Sequence, residues 1–384
     1  MIVTSCRRLF AFACGITLLT AGYAAQAADA EKPPTFKVDP FWPKTLPNNW
    51  ILGQIGGITV DSRGHVWINQ RPRSLTKDEA SAAQNPPLAK CCIPAPPVIE
   101  FDPEGNVVQG WGGDGQGYEW PTQEHGIFVD HKGNVWVGGN GAKDGQVLKF
   151  THDGKFLLQI GKAGGPGGSA DTKQLGQVAD FYVDAKTNEV YMADGYGNHR
   201  IIVLDADTGA FKRMWGAYGN KPVDPPKVAG APANNGDGGG YDPKAPPSKQ
   251  FANPVHCVKV SNDGLVYVCD RTNNRVQVFK TDGTFVKEFF YLRDTLRGSV
   301  TDVTFWPDAK QTYLITVDFG NNEMRLVRRS DGEILSTYGR QGRNAGQFHW
   351  LHDVAVDAQG NVYTGEVGDA KRLQKWLPDA PPKK

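Results

Sequence analysis

A short unit recurs along the chain, and it limits the fold more than any other feature. Each unit is an apolar strand, a polar turn and a second strand: "GGITVDSRGHVWINQR" (56–71), "HGIFVDHKGNVWVGGN" (125–140), "ADFYVDAKTNEVYMADGYGNHR" (179–200), "HCVKVSNDGLVYVCDRTNNR" (256–275), "TDVTFWPDAKQTYLITVDFGNNE" (301–323) and "HDVAVDAQGNVYTGEV" (352–367). The first five are each followed by a second hairpin, such as "VIEFDPEGNVVQGWG" or "VQVFKTDGTFVKEFF". Asn-Gly and Asp-Gly turns between such strands are strong hairpin signals, because their left-handed central residues match the twist of paired strands. Four antiparallel strands repeated around an axis make a β-propeller blade. The expected fold is therefore all-β, a six-bladed propeller. The sixth unit ends one strand short, after "LQKW", and the N-terminal "TFKVDPFWP" (35–43) is expected to supply the missing outer strand. That strand would close the ring and leave no exposed edge.

The 46 glycines and 26 prolines among 384 residues suit a chain of many turns. A net charge of +1 lacks the footprint of a nucleic-acid binder. Residues 1–27 combine the basic "CRRLF", the apolar "LFAFACGITLLTAG" and the small-residue site "AQA", which reads as a cleaved signal peptide. The apolar run is too short for a comfortable membrane span. The mature chain is thus expected to be a periplasmic or secreted monomer, not inserted in a membrane. Residues 28–49 form an N-terminal segment with the closing strand, and 50–380 form the propeller. Two insertions break its rhythm, 72–97 and 220–250, and both are expected on the face that carries the site.

Of the six cysteines, Cys6 and Cys14 would leave with the signal. Cys257 and Cys269 flank the turn "NDG" symmetrically, so a hairpin would set them opposite one another as candidates for a disulfide. Cys91 and Cys92 have no evident partner in the sequence.

Aligning the starts of the six first strands gives one equivalent position per unit: Gly56, His125, Ala179, His256, Thr301 and His352. The first strand of a blade lines the central channel, so the three histidines, on alternate units, would stand about 120° apart around one axis. Three converging imidazoles are the ligand set of a zinc ion with an open fourth position. The other histidines (His65, His131, His152, His199 and His349) fall at turns or unit edges.

The next position reads Gly57, Gly126, Asp180, Cys257, Asp302 and Asp353. Three aspartates there could orient the imidazoles, hold a hard cation such as calcium, or cap backbone amides of neighbouring blades. The ends of the second strands bring Arg71, Asn140, Tyr196, Arg271, Phe319 and Val367 toward the same face. Two arginines suit an anionic substrate, since guanidinium grips a carboxylate in a fork. A tyrosine beside zinc and arginines suits a general base. Arg200 and Arg275, a step further along, read as braces of the blade edges.

The motifs "HGIFVD", "DGYGNHR", "PVHCVKV" with "CDRTNNRVQVF", and "HDVAVD" resemble those of the peptidyl-α-hydroxyglycine α-amidating lyases, propellers built from NHL repeats. The likeness runs from about residue 50 to 377. It implies a catalytic zinc on His125, His256 and His352, Tyr196 as base, and Arg71 and Arg271 as substrate-binding residues. It also implies a structural calcium held by the backbone carbonyls of Ile58 and Ile127 and the carboxylate of Asp353. Where the family has a disulfide cysteine after the motif tyrosine, this chain has Gly197. The implied reaction cleaves a carbinolamide N–C bond and releases an amide and glyoxylate, so the expected partner is a small carboxylate-bearing or peptide-like substrate. Two other readings stay open. One is another metal-dependent propeller enzyme, a lactonase or hydrolase; the other is a non-catalytic NHL propeller that binds a protein or glycan.

Overall fold

The computed structural model describes residues 32–224 and 241–383, together with Met1. The expected signal peptide lies outside these residues apart from Met1, as does the middle of the second insertion. The chain divides into the units Met1–Pro33 and Pro34–Lys384, and the second carries every described strand.

Six four-stranded sheets form the blades; in five of them the strands follow one another outward in chain order, and the sixth takes its outermost strand from the N-terminal segment. Their innermost strands are Gln54–Val60, Glu124–Val129, Val178–Asp184, Val255–Val260, Asp302–Phe305 and Leu351–Val356. The protein is thus an all-β, six-bladed propeller. The N-terminal strand Phe36–Asp39 closes it by pairing antiparallel with Leu373–Pro378, with Phe36 opposite Pro378 and Asp39 opposite Lys375. No described helix is long and apolar enough to cross a membrane.

The apolar alternation of the strands serves contacts between blades. Each of the six hydrophobic clusters joins two neighbours. Tyr191, Ile201 and Trp215 of blade 3, for instance, pack on Val258, Val268 and Phe279 of blade 4. Phe36 of the closing strand packs on Trp306 and Tyr313, so ring closure also completes the cluster between blades 5 and 6. This arrangement leaves the channel free for polar side chains.

A second device recurs in blades 3 to 6. An acid ending the second strand pairs with an arginine at or near the start of the third: Asp194 with Arg200, Asp270 with Arg275, Asp318 with Arg325 and Glu366 with Arg372. Arg200 and Arg275 are fully buried with their aspartates, at 2.8 and 2.7 Å. Arg275 also donates to the carbonyls of Ser248 and Gln250, which anchors the end of the second insertion. Removing one member of a buried pair leaves an uncompensated charge, so Arg275→Met is expected to lower stability by about 3–5 kcal/mol. Denaturant titration checks this: the midpoint should fall with an unchanged slope, and a loss below about 1 kcal/mol, the scale of an exposed pair, would show the brace to be dispensable.

In an antiparallel blade, the start of strand one, the turn from strand two to three, and the link to the next blade share one face. Both insertions therefore leave from the face where the histidine strands begin. The first folds down through the parallel pairing of Trp50–Ile51 with Ile93–Pro94 and the pair Lys371–Glu79. Cys91 and Cys92, without an evident partner in the sequence, are disulfide-bonded to each other within it.

Candidate metal centre and substrate pocket

The histidine strands share a local irregularity that the sequence pattern does not reveal. The pairing of strands one and two shifts register at Ile55/Gly57, Glu124/Ile127, Val178/Asp180, Val255/Cys257 and Leu351/Asp353. Five of the six equivalent positions therefore sit at a β-bulge, a feature that re-aims a side chain out of the regular pleat. The bulges turn the three imidazoles together. Ring centroids lie 5.1 Å apart for His125 and His256, 4.7 Å for His125 and His352, and 4.9 Å for His256 and His352. One ring nitrogen from each falls within 4.8 Å of the others.

Backbone carbonyls set two of the three rings. Nδ1 of His125 donates to the carbonyl of Ala179, and Nδ1 of His256 to that of Thr301, both at 2.7 Å. Each acceptor is the equivalent residue of the next blade. Gly126 makes the first approach possible, because a Cβ there would lie 2.8 Å from the Ala179 oxygen. Since a carbonyl only accepts, each Nδ1 carries the proton and each Nε2 keeps its lone pair. Nδ1 of His352 is buried without a partner. Burial drives the pKa of all three well below the ordinary value; Arg71 adds to this for His125, Arg271 for His256, and the other two imidazoles for His352. Neutral, desolvated imidazoles with converging lone pairs are the form in which histidine binds a transition metal.

Tyr196 reaches this cluster from blade 3. Its hydroxyl lies 3.2 Å from Nε2 of His125 and 3.1 Å from Nε2 of His256, and Arg271 Nη1 donates to it at 3.3 Å. Gly195, just before it, packs so tightly on the backbone of Val255 that any Cβ would collide, which holds the tyrosine loop against the His256 strand.

The two arginines differ. Arg71 donates through Nε to the Glu124 carbonyl (2.6 Å), through Nη1 to Gln54 (2.8 Å) and through Nη2 to Asn140 (3.3 Å). Most of its five N–H groups are thus engaged, and burial pushes its pKa down. Arg271 keeps a buried Nε with no partner. Its guanidinium stands 5.7 Å from the ring centres of both Tyr196 and Phe319. Phe319 meets Trp350 edge-on at 4.8 Å, and Arg297 covers Trp350 at 5.0 Å. The mouth is therefore polar along blades 1 to 4 and apolar along blades 5 and 6, where Val367 is also buried.

The axial aspartates do not orient the imidazoles, since backbone carbonyls hold His125 and His256. Asp180 Oδ2 instead accepts from the Val258 amide (3.0 Å) and Asp302 Oδ2 from the Val354 amide (3.2 Å), capping the neighbouring blade in each case. Lys259, which the sequence did not single out, sends its ammonium between them, 2.5 Å from Asp180 and 3.4 Å from Asp302. Asp353 lies beside Asp302 and this ammonium, with its pKa pushed well up by burial and Asp302. Ile58 and Ile127 stand on the innermost strands of blades 1 and 2, their side chains in the clusters between blades. Cys257 and Cys269 form a disulfide across the hairpin, with Cα atoms 4.8 Å apart.

The NHL repeat family matches at residues 255–279, the segment that carries His256 and Arg271. The chain is 27% identical over 389 residues to mouse NHL repeat-containing protein 3, spanning 97% of this chain and 93% of that protein. It is 27% identical over 355 residues to peptidyl-glycine alpha-amidating monooxygenase B of Xenopus laevis, covering 88% of this chain but only 35% of that longer protein. A probable peptidyl-alpha-hydroxyglycine alpha-amidating lyase of Caenorhabditis elegans is 27% identical over 334 residues, with 84% and 82% covered. The fold is shared with the solved structure of a streptogramin B lyase (TM-score 0.51, 13% identity, 90% of this chain and 98% of that one).

Proposed function

We propose that this NHL-repeat propeller is a zinc-dependent lyase that cleaves the N–C bond of an N-acyl-α-hydroxyglycine-type substrate, releasing an amide and glyoxylate. One observation carries the reading: the Tyr196 hydroxyl meets Nε2 of two buried, neutral histidines and the guanidinium of Arg271 at a single point. A propeller that only bound a partner would not need this convergence. The names of the amidating relatives support the same chemistry.

The donor set fits zinc: three buried imidazoles with converging nitrogens, two held in the ligand tautomer by carbonyls. His125, His256 and His352 would hold it, and bound zinc would supply a Lewis acid for the substrate hydroxyl. The remaining work falls to the chain's own residues. Arg271 binds the carboxylate through its free Nε and a terminal nitrogen. As the phenolate, Tyr196 takes the proton from the α-hydroxyl; the N–C bond breaks as the C=O bond of glyoxylate forms, and the proton passes to the departing nitrogen, which returns Tyr196 to its starting form. Arg71 positions this half of the site through Gln54 and Asn140 and adds positive charge beside Tyr196. Phe319 and Trp350 offer a wall for the apolar part of the acyl group. In this reading residues 1–27 serve as a cleaved signal peptide, and the enzyme works outside the cytoplasm as a monomer on a small substrate.

The test has two steps. Purified protein should carry near-stoichiometric zinc, and it should release glyoxylate from α-hydroxyhippurate. Metal-replete protein without turnover, whether or not Tyr196 is intact, would favour a non-catalytic NHL propeller. The full-length likeness to NHL repeat-containing protein 3, whose name states no activity, supports that second reading.

A further inference from the structure

Four residues on the innermost strands of four successive blades meet at the propeller axis: Asp180, Lys259, Asp302 and Asp353. Their side chains are buried or nearly so; those of Lys259, Asp180 and Asp302 are 17%, 11% and 3% exposed. Two of the carboxylates also cap amides of the next blade, so the cluster joins blade 3 to 4 and blade 5 to 6. Three buried carboxylates around one axis repel one another and are costly to desolvate without a cation. Proteins commonly meet such a need with a hard cation ligated by oxygen. Here an ammonium with three N–H donors stands among the three acids. Burial opposes its charge, but Asp180, Asp302 and Asp353 outweigh burial and push its pKa up. Burial raises Asp180 to about 6 despite Lys259, so the acids around the ammonium bear the cost of desolvation that its charge offsets.

We propose that Lys259 is a built-in counter-cation which joins the axial carboxylates in place of a divalent ion, so that the ring is stable without calcium. Asp353, the carboxylate that family resemblance implies as a calcium ligand, belongs to this lysine-centred cluster. The inference does not depend on the lyase reading, because its readout is stability and calcium binding rather than turnover.

The experiment compares thermal unfolding in calcium-free buffer and in millimolar calcium, with one equivalent of zinc in both. The wild-type midpoint should be the same in both, and calorimetric titration should detect no calcium binding tighter than millimolar. Lys259→Met should lose about 10 °C without calcium, and calcium should restore at least half of the loss. A variant that folds only when calcium is present supports the proposal equally. If Lys259→Met is insoluble under both conditions, the double variant K259M/D180N, with one fewer unpaired carboxylate, should fold and keep a calcium-dependent midpoint. Micromolar calcium binding by the wild type, an unchanged midpoint in Lys259→Met, or a double variant indifferent to calcium would overturn the proposal.

Discussion

His256→Ala is expected to reduce bound zinc from stoichiometric to trace and to abolish glyoxylate release. The effect should be this large because in the proposed site His256 is one of only three ligands, and two imidazoles do not make the closed side of a catalytic zinc site. The carbonyl of Thr301 would lose its donor, and the Tyr196 hydroxyl would lose one of its two imidazole partners. The fold itself should persist, since the six clusters between blades do not include this ring. Elemental analysis of the folded variant, with circular dichroism as the control, checks the prediction. A folded variant that keeps a full equivalent of metal would place the ion elsewhere.

Tyr196→Phe separates metal from chemistry. It keeps the ring that packs beside His125 and Arg271 and removes only the hydroxyl. Zinc content should hold and kcat should fall by about 10²–10⁴-fold, the usual contribution of a positioned general base. KM should move little, because Arg271, not Tyr196, grips the carboxylate in this reading, and a loss confined to kcat marks an interaction made in the transition state. A drop of less than threefold would remove Tyr196 from the proton-transfer role and leave it as packing.

The propeller was readable because its signals are local: turn residues, apolar alternation, and a unit repeated often enough to be aligned. The histidines followed from that alignment, because a radial repeat converts sequence register into position around an axis. The readable features stop where contacts join residues that no repeat relates. Lys259 looks like an ordinary strand lysine until the acids of blades 3, 5 and 6 are placed around it. The engagement of Arg71 depends on Gln54, opposite it in the strand pair, and on Asn140 of the next blade, and the apolar wall depends on Trp350 in the link before the sixth blade. The bulges were missed for a different reason. They change the direction of a side chain without changing the residue pattern, so the alignment brought the three histidines to one level but not the feature that aims them.

Closing the ring with the strand at Phe36–Asp39 has a consequence for assembly. The bonds that join Thr35 to Asp379 span 344 positions in the chain, so the earliest strand to be made must wait for the last. Contacts of such sequence separation are slow to form, and until they do, the edge of the final sheet is unpaired and open to other chains. During synthesis, this protein cannot complete itself piece by piece. Blades can pair with their neighbours as they emerge, but the circle becomes continuous only when both the strand at Phe36–Asp39 and the strand at Leu373–Pro378 are available.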